Sequence, residues 1–178
     1  MPVTDSTAQD KSSYPAFDTA RAMLSILVAD FNYFFLNGVA STTVATMPLC
    51  ARATTASKVK TTNASTLREA GAVVALAATD NYWTLTGGNL AAGFARRYAL
   101  IDTAGVASVL ASTDAATSAA CRWLTRPANG AAIVGILTIV NATNPFIPGT
   151  TLLSAAGVTD TYIDGIDINV PLATLVTP

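Results

Sequence analysis

Apolar positions in this chain fall in short runs: VASTTVATMPL, AGAVVALAA, YWTLTG, RRYALID, VASVLAS, AAIVGILTIV and TYIDGIDI. They recur about every ten residues, and clusters of Gly, Pro, Asn, Asp and Thr separate them. This rhythm predicts an all-β domain, a sandwich of jelly-roll type or a barrel. One unit reads as a β-hairpin. Tyr98, Leu100 and Asp102 alternate with Ala99 and Ile101, Thr103-Ala104-Gly105 supplies a turn with glycine where positive φ is needed, and Val106 to Leu110 returns. AAIVGILTIV is apolar on both alternating faces, the pattern of a central strand buried on two sides. Within residues 16–37 two periods compete. Phe17, Arg21, Leu24 and Val28 share a helical face, whereas LSILVADFNYFFL has the β-branched and aromatic density of a strand. The expectation is a strand after about residue 23, with Asn37-Gly38 as a hairpin turn.

The pattern divides the chain into a polar N-terminal arm (residues 1–15), a single β-rich domain (16–170) and a C-terminal tail (171–178). The arm has no hydrophobic period and alone in water is expected to be disordered; both ends are expected to be held by running over a neighbouring subunit. At 178 residues the domain can bury a core without disulfides. Its N-terminus, MPVTDSTAQDKSS, lacks the cationic-then-apolar order of a secretory signal, and Asp30, Asn32 and Asn37 break the longest apolar stretch. The reading is a soluble, unexported chain with no membrane partner.

Charge sharpens this picture. Charged residues are 12% of the chain with a net charge of −1, about half the usual share, which leaves no electrostatic case for nucleic acid. Alanine and threonine make up roughly a third of the chain, a composition suited to flat sheet faces and close contact between chains. Cys50 and Cys121 have no CxxC partner. They read as buried apolar thiols, although one disulfide is compatible with the sequence.

Catalytic chemistry finds few candidates. Histidine is absent and Glu69 is the only glutamate, which removes the commonest general base and the usual hydrolase triads. A glycosidase pair from Asp80 and Asp102 would need the two carboxylates across a cleft, and nothing in the sequence places them so. Asp160, Asp164 and Asp167 lack the register of a calcium loop and read as solvated turn and strand-edge aspartates. Arg96-Arg97, with Arg122 and Arg126, is bracketed by apolar residues, so an exposed strand edge or an inter-subunit ion pair is expected. Gly87-Gly88 has neither the helix start nor the lysine of a phosphate cradle and reads as a loop. The chain is therefore expected to be no enzyme and to hold no cofactor or metal.

Five segments in sequence order carry a resemblance: KTTNA (60–64), AATDN (77–81), YALIDTAGVASVLAS (98–112), RPANGAAIVGILTIV (126–140) and PGTTLLSAAGVTDTY (148–162). Together they resemble a family of bacteriophage virion structural proteins, often small β-rich proteins of the head surface or of fibres. One departure from the family is the stretch between KTTNA and AATDN, where STLREAGAVVAL stands in place of a hairpin closed by Asn-Gly. The resemblance implies a non-enzymatic role in the virion, and the expectation is a decoration or cement protein, made in the host cytoplasm and carried on the capsid surface, that binds the major capsid protein. Low charge and exposed apolar loops add the expectation that it also binds itself, a homotrimer being favoured over a dimer. A fibre or tail component is the alternative in the same setting. A virion-surface carbohydrate-binding module, with Tyr82 and Trp83 stacking on a sugar, is the alternative from another class.

PFIPGTTLLSAAGVTDTY (145–162) is the passage expected to make contacts. Pro145 and Pro148 bar it from a central strand, and Phe146, Ile147, Leu152 and Leu153 would be exposed in a monomer. Those four, with Tyr82 and Trp83, are the candidate interface residues.

Overall fold

Residues 21–25, 27, 28, 33, 36–42, 49–125 and 127–165 are described by the computed structural model. The arm (1–15), the tail (171–178), Phe17, Arg126 and Asp167 lie outside the described residues. The protein is essentially all-β. Its strands are β1 (Gly38–Thr42), β2 (Cys50–Arg52), β3 (Lys58–Thr61), β4 (Ser65–Glu69), β5 (Ala72–Leu76), β6 (Trp83–Thr84), β7 (Phe94–Thr103), β8 (Val106–Ala111), β9 (Ala132–Asn141) and β10 (Val158–Asp164). They form three antiparallel sheets, ordered β1-β4-β5, β2-β3-β6 and β10-β9-β7-β8.

The expected hairpin is present. β7 and β8 pair from Tyr98↔Ala111 to Thr103↔Val106, closed by Ala104 and Gly105 at φ 52° and 80°. Two central residues at positive φ make the turn whose twist matches that of the strands. The same device closes β4 and β5, where Ala70 and Gly71 have φ 49° and 85° between Glu69 and Ala72. Ala-Gly thus does the work that an Asn-Gly turn was expected to do.

β9 is an inner strand buried on both faces, as the sequence predicts. A bulge makes this possible. Leu100 pairs with Gly135 and Ile101 with Ile133, which leaves Val134 as an extra residue. The side-chain alternation shifts there, so Ala132 and Val134 face the same core as Leu137 and Ile139. That core lies between the four-stranded sheet and the other two sheets and includes Val59, Leu67, Leu76, Trp83, Tyr98, Leu100, Phe146 and Leu153. On the opposite face Tyr33, Trp123 and Ala131 cover Ala99, Ile101, Ile133 and Ile136.

The strand expected after residue 23 is a correction. Residues 24, 25, 27, 28, 33 and 36 are helical, so the 3.6-residue period prevails over β propensity. Tertiary anchoring explains part of this, because Tyr33 is buried and its hydroxyl donates to the Ala131 carbonyl at 2.5 Å. Asn37-Gly38 is likewise no hairpin turn. The Asn37 N–H donates to the Tyr33 carbonyl at 2.8 Å in a last helical bond, and Gly38, at φ 129°, begins β1.

Candidate functional site

The proline-rich passage folds back on its own chain. Phe146 is fully buried and exchanges two backbone hydrogen bonds of 2.9 Å with Leu90. Leu153 is also buried, and its N–H donates to the Ala56 carbonyl at 2.8 Å. Between them a tight turn forms in which the Thr150 and Thr151 N–H groups reach the Ile147 carbonyl and the Thr151 hydroxyl accepts from the Ile147 N–H. Gly149, at φ 74°, lets a backbone approach closely, since a Cβ there would lie 2.9 Å from the Leu85 carbonyl oxygen. The close neighbour is thus this chain, which corrects the expectation that Phe146 and Leu153 are exposed. Only Ile147 and Leu152 of the four face solvent.

The aromatic pair is corrected in the same way. Trp83 is fully buried, with its indole N–H donating to the Ile101 carbonyl at 2.8 Å, so it has no face to offer a sugar. Tyr82 packs edge-on against it and donates its hydroxyl to Asp102 Oδ2.

That contact belongs to a cluster that sequence reasoning missed. Glu69 and Asp102, 33 residues apart, each hold an amide of the β7–β8 turn. Glu69 Oε2 accepts from the Ala104 N–H at 2.9 Å and Asp102 Oδ1 accepts from the Gly105 N–H at 3.1 Å. Both carboxyl groups are buried, and Glu69 Oε1 has no hydrogen-bond partner. Burial pushes the Glu69 carboxyl above its ordinary range; the Ala104 N–H opposes this, and the neighbouring Asp102 adds to it. Burial and the same two carboxylates also raise the Tyr82 phenol, keeping it a donor. The one legible signal was the placement of each acid next to an Ala-Gly turn. With Asp102 1% exposed, the cluster offers substrate no approach, and one oxygen of each acid is bonded to the turn. Asp80 is not its partner across a cleft, because Asp80 lies in an exposed turn where its Oδ1 accepts from the Thr54 N–H.

Other charges are also engaged within the fold. Arg96 lies buried on the inner strand β7, not on an edge, and pairs within the chain. Its Nε and Nη2 donate to Asp114 at 2.6 and 2.8 Å, and its Nη1 donates to the Gly88 carbonyl at 2.6 Å. Gly87-Gly88 makes the room for it, since a Cβ on Gly87 would lie 3.3 Å from Arg96 Nη1. Arg122 caps the short 3-10 turn Ser118–Ala120 through the Ala119 and Cys121 carbonyls. The aspartates of β10 are not simply solvated. Asp160 forms a two-pronged pair with Arg52, and Asp164 is buried and accepts from the Leu49 N–H at 2.5 Å. Burial works to raise the Asp160 carboxyl, but Arg52 and Tyr162 outweigh it and hold it below its usual range. Cys50 and Cys121 are free buried thiols, and burial, aided by Asp164, pushes the Cys50 thiol far up, which makes it unreactive.

Among the described residues no three His, Cys, Asp or Glu side chains gather as a metal site. None of the described helices is long and apolar enough to cross a membrane. Comparison of the chain with protein-family models, with curated proteins and with solved structures gives no match.

Proposed function

We propose that this chain is a structural protein of a bacteriophage virion, a decoration or cement protein that binds the assembled head and other copies of itself without catalysing a reaction. The observation that carries this reading is a division of labour between charge and apolar surface. Arg52, Arg96, Glu69, Asp102, Asp114, Asp160 and Asp164 are all bonded within the fold. Large apolar side chains meanwhile stand in solvent: Met23, Leu24, Leu27 and Val28 on the helical residues, Val73 and Val106 beside the two hairpin turns, and Leu124, Ile147 and Leu152 on loops. Such a surface favours association. The five segments quoted above and the lack of histidine support the same reading.

The mechanism is linkage. A protein that binds the closed shell and not its separated subunits adds its binding free energy to the stability of the shell. About 1,600 Å² of total buried surface is enough for one such specific contact. The test is co-sedimentation of the purified chain with shells stripped of it and, separately, with dissociated shell subunits. Saturable binding to shells alone is expected, and equal binding to both or to neither would overturn the reading.

A further inference from the structure

The four-stranded sheet ends in two very different edges. At β10, Asp160 is clamped by Arg52 and Asp164 holds the Leu49 N–H. Gly165 continues the ladder with β9, its N–H donating to the Val134 carbonyl. Charged side chains thus guard that edge and tie it to β2 and the residue before β2. Among the described residues β8 at the other end has no such guard.

Hairpin geometry fixes which β8 groups are free. With Ala104-Gly105 as the two-residue turn, Thr103 and Val106 form a hydrogen-bonded pair, and the pattern repeats every second residue up to the Ser112 N–H on the Arg97 carbonyl at 2.8 Å. Ala107, Val109 and Ala111 therefore turn their N–H and C=O groups away from β7. Among the described residues no backbone group bonds to them. Proteins usually guard such a row with lysine, proline or a bulge. VASVLA carries no charge and no proline, and its register with β7 is unbroken.

We propose that β8 is a seam at which two copies of this chain join antiparallel about a twofold axis, so that two four-stranded sheets become one continuous sheet. The strand suits its own copy in three ways. Outward groups at Ala107, Val109 and Ala111 are symmetric about Val109, so Val109 faces Val109 of the partner subunit and Ala107 faces Ala111 of the partner subunit, each pair exchanging two bonds. β8 carries no charge, so nothing in it repels the same strand of a second copy. The side chains of Ala107, Ser108 and Ala111 are small enough for close approach. Val106, 65% exposed, and Val73, 69% exposed, follow the two turns that Glu69 ties together and add apolar surface at the end of the seam. The inference rests on the self-association in the reading above, not on the virion.

The test uses the full chain in sedimentation equilibrium at micromolar concentration, alongside two variants. Val109→Pro removes an outward N–H and leaves the β7 ladder intact. Ser108→Lys puts a guard on an exposed position. The wild type is expected to be a dimer, and each variant should weaken dimerisation at least about tenfold while keeping its far-ultraviolet circular dichroism. If Val109→Pro fails to fold, Ser108→Lys decides. A wild-type monomer, a wild-type trimer, or a dimer that Ser108→Lys leaves unchanged would overturn the seam. Failure to bind shells with the dimer intact would instead overturn the virion reading.

Discussion

The β4–β5 and β7–β8 hairpins close with the same two residues, Ala-Gly, in the same left-handed conformation, yet they are held by different chemistry. At the first turn a neutral amide does the holding. Asn37 Oδ1 accepts from the Ala70 N–H at 2.8 Å and from the Gly130 N–H at 2.9 Å, and the Leu36 carbonyl accepts from the Gly71 N–H. At the second turn two carboxyl groups do it, Glu69 on Ala104 and Asp102 on Gly105. Glu69 belongs to the first hairpin, so the turns form a relay from the helical residues through β4 to the tip of β7–β8. The local turn code is shared, but one turn rests on a neutral amide and the other on titratable carboxyl groups.

The comparison breaks most sharply at Asn37. Asn37→Ala strips the acceptor from two amides in different segments, and each such loss costs about 1–3 kcal/mol when the donor is buried. A destabilisation of about 2–4 kcal/mol is expected in urea unfolding. Glu69→Ala removes one acceptor but also relieves a buried carboxyl of its desolvation. Its expected cost at neutral pH is smaller, about 1 kcal/mol. If Glu69→Ala proves as damaging as Asn37→Ala, the two supports are equivalent and the contrast fails.

Acidity separates the turns further. A carboxyl whose folded pKa lies above its unfolded value binds its proton more tightly in the folded state. The stability it contributes is complete below the unfolded value and is lost as pH rises through the folded one. Glu69 is such a group. The stability of the wild type relative to Glu69→Gln, which keeps an acceptor for Ala104, should therefore fall as pH rises above the ordinary glutamate range. Asp160 runs the other way, its contribution being lost as pH falls through its lowered pKa, but it is common to both proteins and cancels. A pH-independent difference between the two would contradict the account.

The smallest effect tests what the turns share. Ala70→Asn and Ala104→Asn place at exposed left-handed positions a residue that tolerates them better. Each should stabilise the fold by a few tenths to about 1 kcal/mol, read as an increase in Tm. A loss in one and a gain in the other would show that the turns are not alike.

The two hairpins also show what a sequence discloses. β7–β8 was readable because strict alternation from Tyr98 to Asp102 meets a glycine at the turn. β4–β5 was obscured by the expectation of Asn-Gly, although Ala-Gly reaches the same conformation once Asn37 holds its amide. The central strand β9 was evident from its unbroken apolar run, but its bulge at Val134 depends on pairing with β7 and leaves no local mark. The described residues among 24–36 were misread because β-branched and aromatic density is as compatible with helical turns anchored by Tyr33. In the passage from Pro145, Gly149 admits a close backbone, whereas the composition was read only as suited to contact between chains. What the sequence could not say was whose backbone, and the Leu85 carbonyl beside Gly149 supplies the answer. The Glu69–Asp102 cluster joins residues far apart in sequence, so only the folded arrangement brings it to view.

The central claim is that the buried and paired charges, Arg52, Arg96, Glu69, Asp102, Asp114, Asp160 and Asp164, hold this protein's own fold while its neutral edge and apolar surface bind other protein. Calorimetry of heat-disrupted phage heads, with and without saturating amounts of the chain, tests this most directly. Stabilisation should grow with the logarithm of chain concentration above the binding constant, about 2.7 kcal/mol per site at a hundredfold excess, and the disruption temperature should rise with it. A disruption temperature unchanged at full occupancy would show that the chain rides on the shell without strengthening it, and would contradict the account.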